Sequence, residues 1–309
     1  MTLISTHDAL TAAPYLKAIH QPQSTSHKGQ NGKVLVIGGS SLFHGAVLWA
    51  AEAASHIVDM VHVASTVENN EIIQKIKVMW QTGIVVSQKD ILYYAEEDKV
   101  ILVGNGMMRS EKAESLKLKA ESRKWEDVLK IKDEGLFTRE IVYYLIAHFP
   151  NKQFVLDAGA LQVMDKEWLS LLRKKAIITP HQKEFQSLFG IDVAALSFEE
   201  KEKIVQQTAQ QHSCIIILKA VEDIISDGNR VVRVQGGNAG LTKGGTGDIL
   251  AGLIAGMAAT SDPFAAAVVA SFLLKQTAEH LFEIKGFWYT AQDIVTTFPG
   301  VFHRLNQPD

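Results

Sequence analysis

The chain is punctuated by short apolar runs that stop at glycine or at a polar side chain and then give way to helical spacing. Lys33–Ile37 ends in Gly38-Gly39-Ser40, 99–103 in Gly104-Asn105-Gly106, and 154–156 in Asp157. Residues 176–178 run into Thr179-Pro180-His181, and 214–218 into Lys219. Met60–Ala64 and the weaker 84–87 belong to the same series. Strands without polar alternation are buried on both faces. Helices must therefore cover both sides, and parallel neighbours need a crossover between them. The pattern predicts an α/β protein with a mostly parallel central sheet. One connecting helix, from about His44, carries a face of small apolar residues at Ala46, Val47, Ala50, Ala51, Ala54 and Ile57.

Towards the C-terminus the rhythm changes. Asp223–Ser226 and 230–234 flank Asp227-Gly228-Asn229, which predicts an antiparallel edge pair. Helices are expected at 246–259, at roughly 263–283, and from Ala291. Residues 1–27 read as a short helix and a polar approach segment, and 1–309 as a single domain. The segment 109–139 mixes both charge signs densely, which predicts a solvated helical excursion, with a lid or subunit contact as the other reading.

Composition excludes several functions. A formal net charge of −3 offers no general attraction for nucleic acid or an anionic membrane, so any phosphate binding must be local. Cys214 is the only cysteine and sits in the apolar run CIIIL, which predicts a buried inert thiol and no intrachain disulfide. Neither a signal peptide nor an apolar span of membrane length is legible, so a cytoplasmic enzyme is expected.

The stretch 236–256, GGNAGLTKGGTGDILAGLIAG, holds the chemistry. Gly244, Gly245 and Gly247 let successive N–H groups converge at the start of a helix whose dipole favours an anion there. Asp248, in the first helical turn, would repel that anion unless a metal or a proton transfer requires it. Ligands in open parallel sheets collect outside the carboxyl ends of the strands. Asp157 there could meet a metal-bridged phosphate or cap a helix, and His181 with Glu184 could serve a ligand or a capping box. Lys219 ends an apolar strand, where an ammonium calls for an anionic partner. Neither the G-x-x-x-x-G-K-[ST] loop nor the G-x-G-x-x-G fingerprint is present.

Taken together, HKGQNGKVLVIGGS with the following HGA, LDAGAL, TPHQKEF, LTKGGTGDILAG and AQDI resemble the ADP/ATP-dependent NAD(P)H-hydrate dehydratase family, a branch of the ribokinase-like superfamily. The resemblance covers roughly residues 27–300. It implies a three-layer α/β/α ribokinase-like fold and repair of hydrated NADH or NADPH with consumption of ATP or ADP. It further implies that Asp248 is the general base on the ring hydroxyl, and that Ala46, Gly106, His181 and Asp248 touch the nicotinamide hydrate. Lys219, Ala220, Val221, Glu222 and Asp223, with Gly245, Thr246 and Gly247, would bind the adenine nucleotide. Mg2+ is expected with the phosphates, with Asp157 and Glu184 as possible ligands. A homo-oligomer is expected, and a separate epimerase, because the epimerase domain that often precedes this fold has no counterpart in these residues.

The family usually has proline at 105, leucine and glycine at 107 and 108, and glycine at 220, where this chain has Asn105, Met107, Met108 and Ala220. It also usually has a glycine-containing turn near HIVDM and a second acidic residue at Gly159. The added bulk at 107, 108 and 220 would narrow the clefts. Two other readings share the GTGD helix: a ribokinase-like kinase of a vitamin precursor, and a nucleotide-binding relative without turnover.

Overall fold

The structure is a computed structural model, in which residues 2–109 and 124–307 are described. Its strands are β1 (Thr2–Ser5), β2 (Lys33–Ile37), β3 (Met60–Ala64), β4 (Ile84–Val86) and β5 (Val100–Val103). There follow β6 (Gln153–Leu156), β7 (Ile177–Ile178), β8 (Ile215–Leu218), β9 (Asp223–Ser226) and β10 (Val231–Gln235). They form one ten-stranded sheet in the order β1-β10-β9-β8-β7-β6-β5-β2-β3-β4. Only the β8/β9 and β9/β10 pairs are antiparallel. Two apolar cores lie against its two faces, as the doubly buried strands require.

The hairpin forms where the turn residues place it, but it is not the edge. Thr2–Ser5 adds parallel to β10, pairing Thr2 with Val232 and Ser5 with Gln235. The approach segment thus begins with a strand that the sequence reading did not include. Only Ile4 of its four residues is buried, so the strand carries no apolar pattern and takes its order from the ladder of β10.

One face is built around two helices in unusually close contact. Thr246–Ala258 is apolar on nearly every side and is buried from Ile249 to Ala258. It packs on Gly45–Ser55, and a Cβ at Gly252 would stand 2.1 Å from the carbonyl oxygen of Ala50. The small-residue face at Ala50, Ala51 and Ala54 permits that approach. Behind them Pro263–Lys285 starts at an Asp262 cap with proline in its first turn, as helix-start chemistry prescribes.

The charged segment departs from its expected character. Residues 110–123, and with them the lid or subunit-contact reading of that part, lie outside the described residues. The part beyond them is not a solvated excursion: Trp125 and Val128 are buried, as are Phe137 and Arg139 of the helix Glu134–His148. The Arg139 guanidinium bonds to the Val163 carbonyl and the Asp165 carboxylate and lies 4.7 Å from the Trp168 ring centre. Charge inside a helical segment need not face water when a carbonyl, a carboxylate and an aromatic face receive it.

Candidate active site

The strand ends singled out by sequence are neighbours. Strands β8, β7, β6, β5 and β2 are consecutive in the sheet, so Lys219, Thr179, Asp157, Asn105 and Gly38 meet at one rim. Asp157 is 2% exposed and its carboxylate is fully engaged. Oδ1 accepts from Lys219 Nζ at 2.8 Å and from Thr179 Oγ1 at 2.6 Å, while Oδ2 accepts from Asn105 Nδ2 at 2.9 Å. Glycine is obligatory beside it: Gly104 has φ +124°, and a Cβ there would lie 1.8 Å from the Asp157 carbonyl oxygen.

At the glycine stretch, Gly245 adopts a left-handed conformation, φ 96°, and among the described residues no side chain caps the helix it starts. An uncapped helix start of this kind, with its dipole, would favour an anion at this end. The Thr246 hydroxyl donates to the Leu241 and Lys243 carbonyls, which shapes the loop rather than facing a ligand. The Lys219 ammonium stands 3.7 Å from the position of a Cβ on Gly247, so a cation and the helix start address the same volume. Burial alone would lower the Lys219 pKa, but facing carboxylates of Asp157, Glu184 and Asp248 outweigh it and raise it. The lysine is charged.

Asp248 lies one residue beyond Gly247. Burial first, and then the charge of Asp157, push its pKa up to about 6 against the lowering effect of Asn105 and Lys219. Such a carboxylate is ionised near neutrality yet basic enough to accept a proton. It lines a cavity of about 540 Å3 together with Ala46, Gly106, Gln162, Met107 and Met108. Three of the four residues expected at the substrate therefore share one wall, and the cavity persists beside the two methionines. Met107 is 8% exposed and packs into the core.

His181 stands apart from that cavity. It forms a capping box with Glu184: its Nδ1 accepts from the Glu184 amide at 3.1 Å, and Glu184 Oε2 accepts from the His181 amide at 3.0 Å. Its ring is half exposed. Gln162, which lines the cavity, donates to Glu184 Oε1 at 2.9 Å and links the two places. In the 219–223 turn, Ala220 donates its amide to Asp223, and Val221 is largely exposed. Glu222 pairs with Arg233 at 3.3 Å, and Asp223 accepts from Ser271 Oγ. The last two side chains hold the turn, and Lys275 Nζ donates to the Val221 carbonyl at 2.8 Å, so the Val221 side chain is the part of it left largely exposed. Among the described residues no three His, Cys, Asp or Glu side chains form a metal-holding group.

A model of the NAD(P)H-hydrate dehydratase family matches residues 34–300. The chain belongs to that family. The ADP-dependent (S)-NAD(P)H-hydrate dehydratase of Cenarchaeum symbiosum is 30% identical over 295 residues, covering 94% of this chain and 96% of that protein. The bifunctional NAD(P)H-hydrate repair enzyme Nnr of Methanocaldococcus jannaschii is 33% identical over 294 residues, 93% of this chain. This chain spans about half, 51%, of the length of that bifunctional relative. Among solved structures, the Bacillus subtilis ADP/ATP-dependent NAD(P)H-hydrate dehydratase aligns with a TM-score of 0.74 at 23% identity, covering 96% of this chain and 97% of the other. A ribokinase-like superfamily protein of Enterococcus faecalis V583 aligns at 0.77 and 22%, covering 100% and 98%. The fold is ribokinase-like, and no described helix is long and apolar enough to cross a membrane.

Within this NAD(P)H-hydrate dehydratase family member, sequence reasoning passed over Gln162 and Thr179 as parts of the site and took Asn105 as part of a strand-end glycine turn and as a departure, without a role for its side chain. Thr179 stood in TPHQKEF as part of a strand end, and its hydroxyl bonds Asp157. An Asn between two strand-end glycines was the one signal that could have drawn attention to position 105.

Proposed function

We propose that this chain dehydrates hydrated NADH or NADPH, using ADP or ATP to phosphorylate the ring hydroxyl that then leaves as phosphate. The observation that carries this reading is the placement of Asp248: a carboxylate with a pKa of about 6, one residue past an uncapped glycine turn, on the wall of a cavity shared with Ala46 and Gly106. The family membership and the C. symbiosum relative supply the substrate class.

In this scheme the nicotinamide hydrate occupies the cavity, with Ala46 and Gly106 against the ring, and extends beyond the cavity to reach His181. The nucleotide lies along the 219–223 turn with its phosphates at Gly245, Thr246 and Gly247. Asp248 takes the hydroxyl proton as the oxygen bonds to the terminal phosphorus, and the bond to the rest of the nucleotide breaks. The Lys219 ammonium and helix amides stabilise the charge on the transferring group. The ring nitrogen then pushes out phosphate, and loss of a proton from the neighbouring ring carbon completes the double bond.

Because both oxygens of Asp157 and both of Glu184 already accept hydrogen bonds, the residues present fit a magnesium that arrives on the nucleotide phosphates and keeps much of its water. When bound, such an ion supplies neutralisation of phosphate charge.

The test is a turnover assay with hydrated NADH and hydrated NADPH, each with ADP or ATP and magnesium, following return of the reduced-nicotinamide absorbance. Absence of recovery in all four combinations, with folded protein, overturns the proposal.

A further inference from the structure

Asn105 sits at the centre of the rim and makes hydrogen bonds to two acids at once. Its Nδ2 donates to Asp157 Oδ2 at 2.9 Å and to Asp248 Oδ1 at 2.8 Å. The orientation of the amide follows from chemistry: the reverse would point a carbonyl oxygen at two carboxylates. Both hydrogens on that nitrogen are therefore spent on acids from two different elements, the end of β6 and the first turn of Thr246–Ala258.

The backbone is pinned as well. Gly39 donates its amide to the Asn105 carbonyl at 2.7 Å, and the residue is flanked by Gly104 at φ +124° and Gly106 at φ +69°. Asn105 is fully buried, yet its Oδ1 finds no partner among the described residues. A buried carbonyl without a donor is unfavourable, so packing stability gives no reason for this side chain. The two donors on the other end give one.

We infer that Asn105 is a positioning residue of this site: one amide hydrogen orients the Asp248 carboxylate on the cavity wall, and the other ties it to the Asp157–Lys219 pair on the nucleotide side. The inference rests on the dehydratase reading for the task of Asp248, but not for the geometry. Asn105 brings a donor between two carboxylates that would otherwise face each other across the rim. The other charged group addressing Asp248 is Lys219 from the end of β8; Arg109 lines the same cavity. Neither can take the place of a neutral donor held by the backbone of β5.

Asn105→Ala, Asn105→Ser and wild type are compared in two ways. In ligand-free protein, carbon-13 carboxyl NMR follows the titration of Asp248. In turnover, kcat, KM for the hydrate and the pH profile are measured. The alanine variant is expected to move the Asp248 midpoint and the acid limb upward by about one pH unit and to lower kcat about 10- to 100-fold with little change in KM. Serine, with one hydroxyl donor, is expected to restore part of both. An unmoved Asp248 titration in a folded alanine variant overturns the role, as does a loss in which stability and KM change while the acid limb stays in place. Should alanine not fold, the serine variant is judged by the same titration. Wild type without hydrate turnover would defeat the dehydratase reading alone, because the ligand-free titration still decides Asn105.

Discussion

The Lys219 ammonium meets the Asp157 carboxylate at 2.8 Å, with the acid 2% exposed and the lysine side chain 21% exposed. The pair is asymmetric: the acid is sealed into the end of β6, while the lysine still reaches the glycine helix.

Lys219→Met should therefore have two separable effects. It leaves a buried carboxylate with only Thr179 and Asn105, which should cost about 3 kcal/mol of stability in denaturant unfolding. It should also raise the nucleotide Kd about tenfold or more in calorimetry. Adding Asp157→Asn should recover much of the stability and none of the affinity.

The raised pKa of Asp248 makes opposite demands on activity and stability. As the proposed base, it must be ionised, so kcat/KM should fall about tenfold per pH unit below pH about 6. Its folded pKa lies above the unfolded carboxylate value, so its stabilising contribution is complete below that lower value and lost as pH rises through about 6. Matched pH-rate and pH-melting curves should show the two trends crossing in the same window.

Asp248→Asn should accordingly abolish turnover, by about a thousandfold or more, while nucleotide binding is largely retained. At pH 8 it should also raise stability by about 1–3 kcal/mol, because an ionised buried group is replaced by a neutral isostere. At pH 4 the stability gain should vanish.

Two glycines in one stretch should respond differently. A Cβ at Gly252 meets the Ala50 carbonyl at 2.1 Å, so Gly252→Ala should push apart the helices carrying Asp248 and Ala46. A stability loss of about 1–3 kcal/mol and a lower kcat are expected. A Cβ at Gly244 has no neighbour within 4 Å. Gly244→Ala should leave stability within about 0.5 kcal/mol, and a weaker nucleotide Kd in that variant would show that the ligand, rather than the fold, requires glycine there.

The sheet and the glycine helix were legible because their signals are local. The runs ending at Gly38, Gly104, Asp157, Thr179 and Lys219 are strands by their unbroken apolar character, and 236–256 is a loop entering a helix by glycine content and spacing. The family motifs rest on the same short stretches. Thr2–Ser5 escaped notice because its order comes from β10, and the segment after 124 because its charges are satisfied by distant partners.

By itself the sequence determined that doubly buried parallel strands would end in polar groups and that Asp248 would stand in the first turn of a helix entered through glycines, since period and glycine placement act within a few residues. Only the tertiary structure decided that β5, β6 and β8 end close enough for Asn105 to serve two acids and for Lys219 to serve one. Strand order and hydrogen-bond partners are set by packing between segments far apart in the chain, for Asn105 and Asp248 across 143 residues. No local pattern encodes that distance.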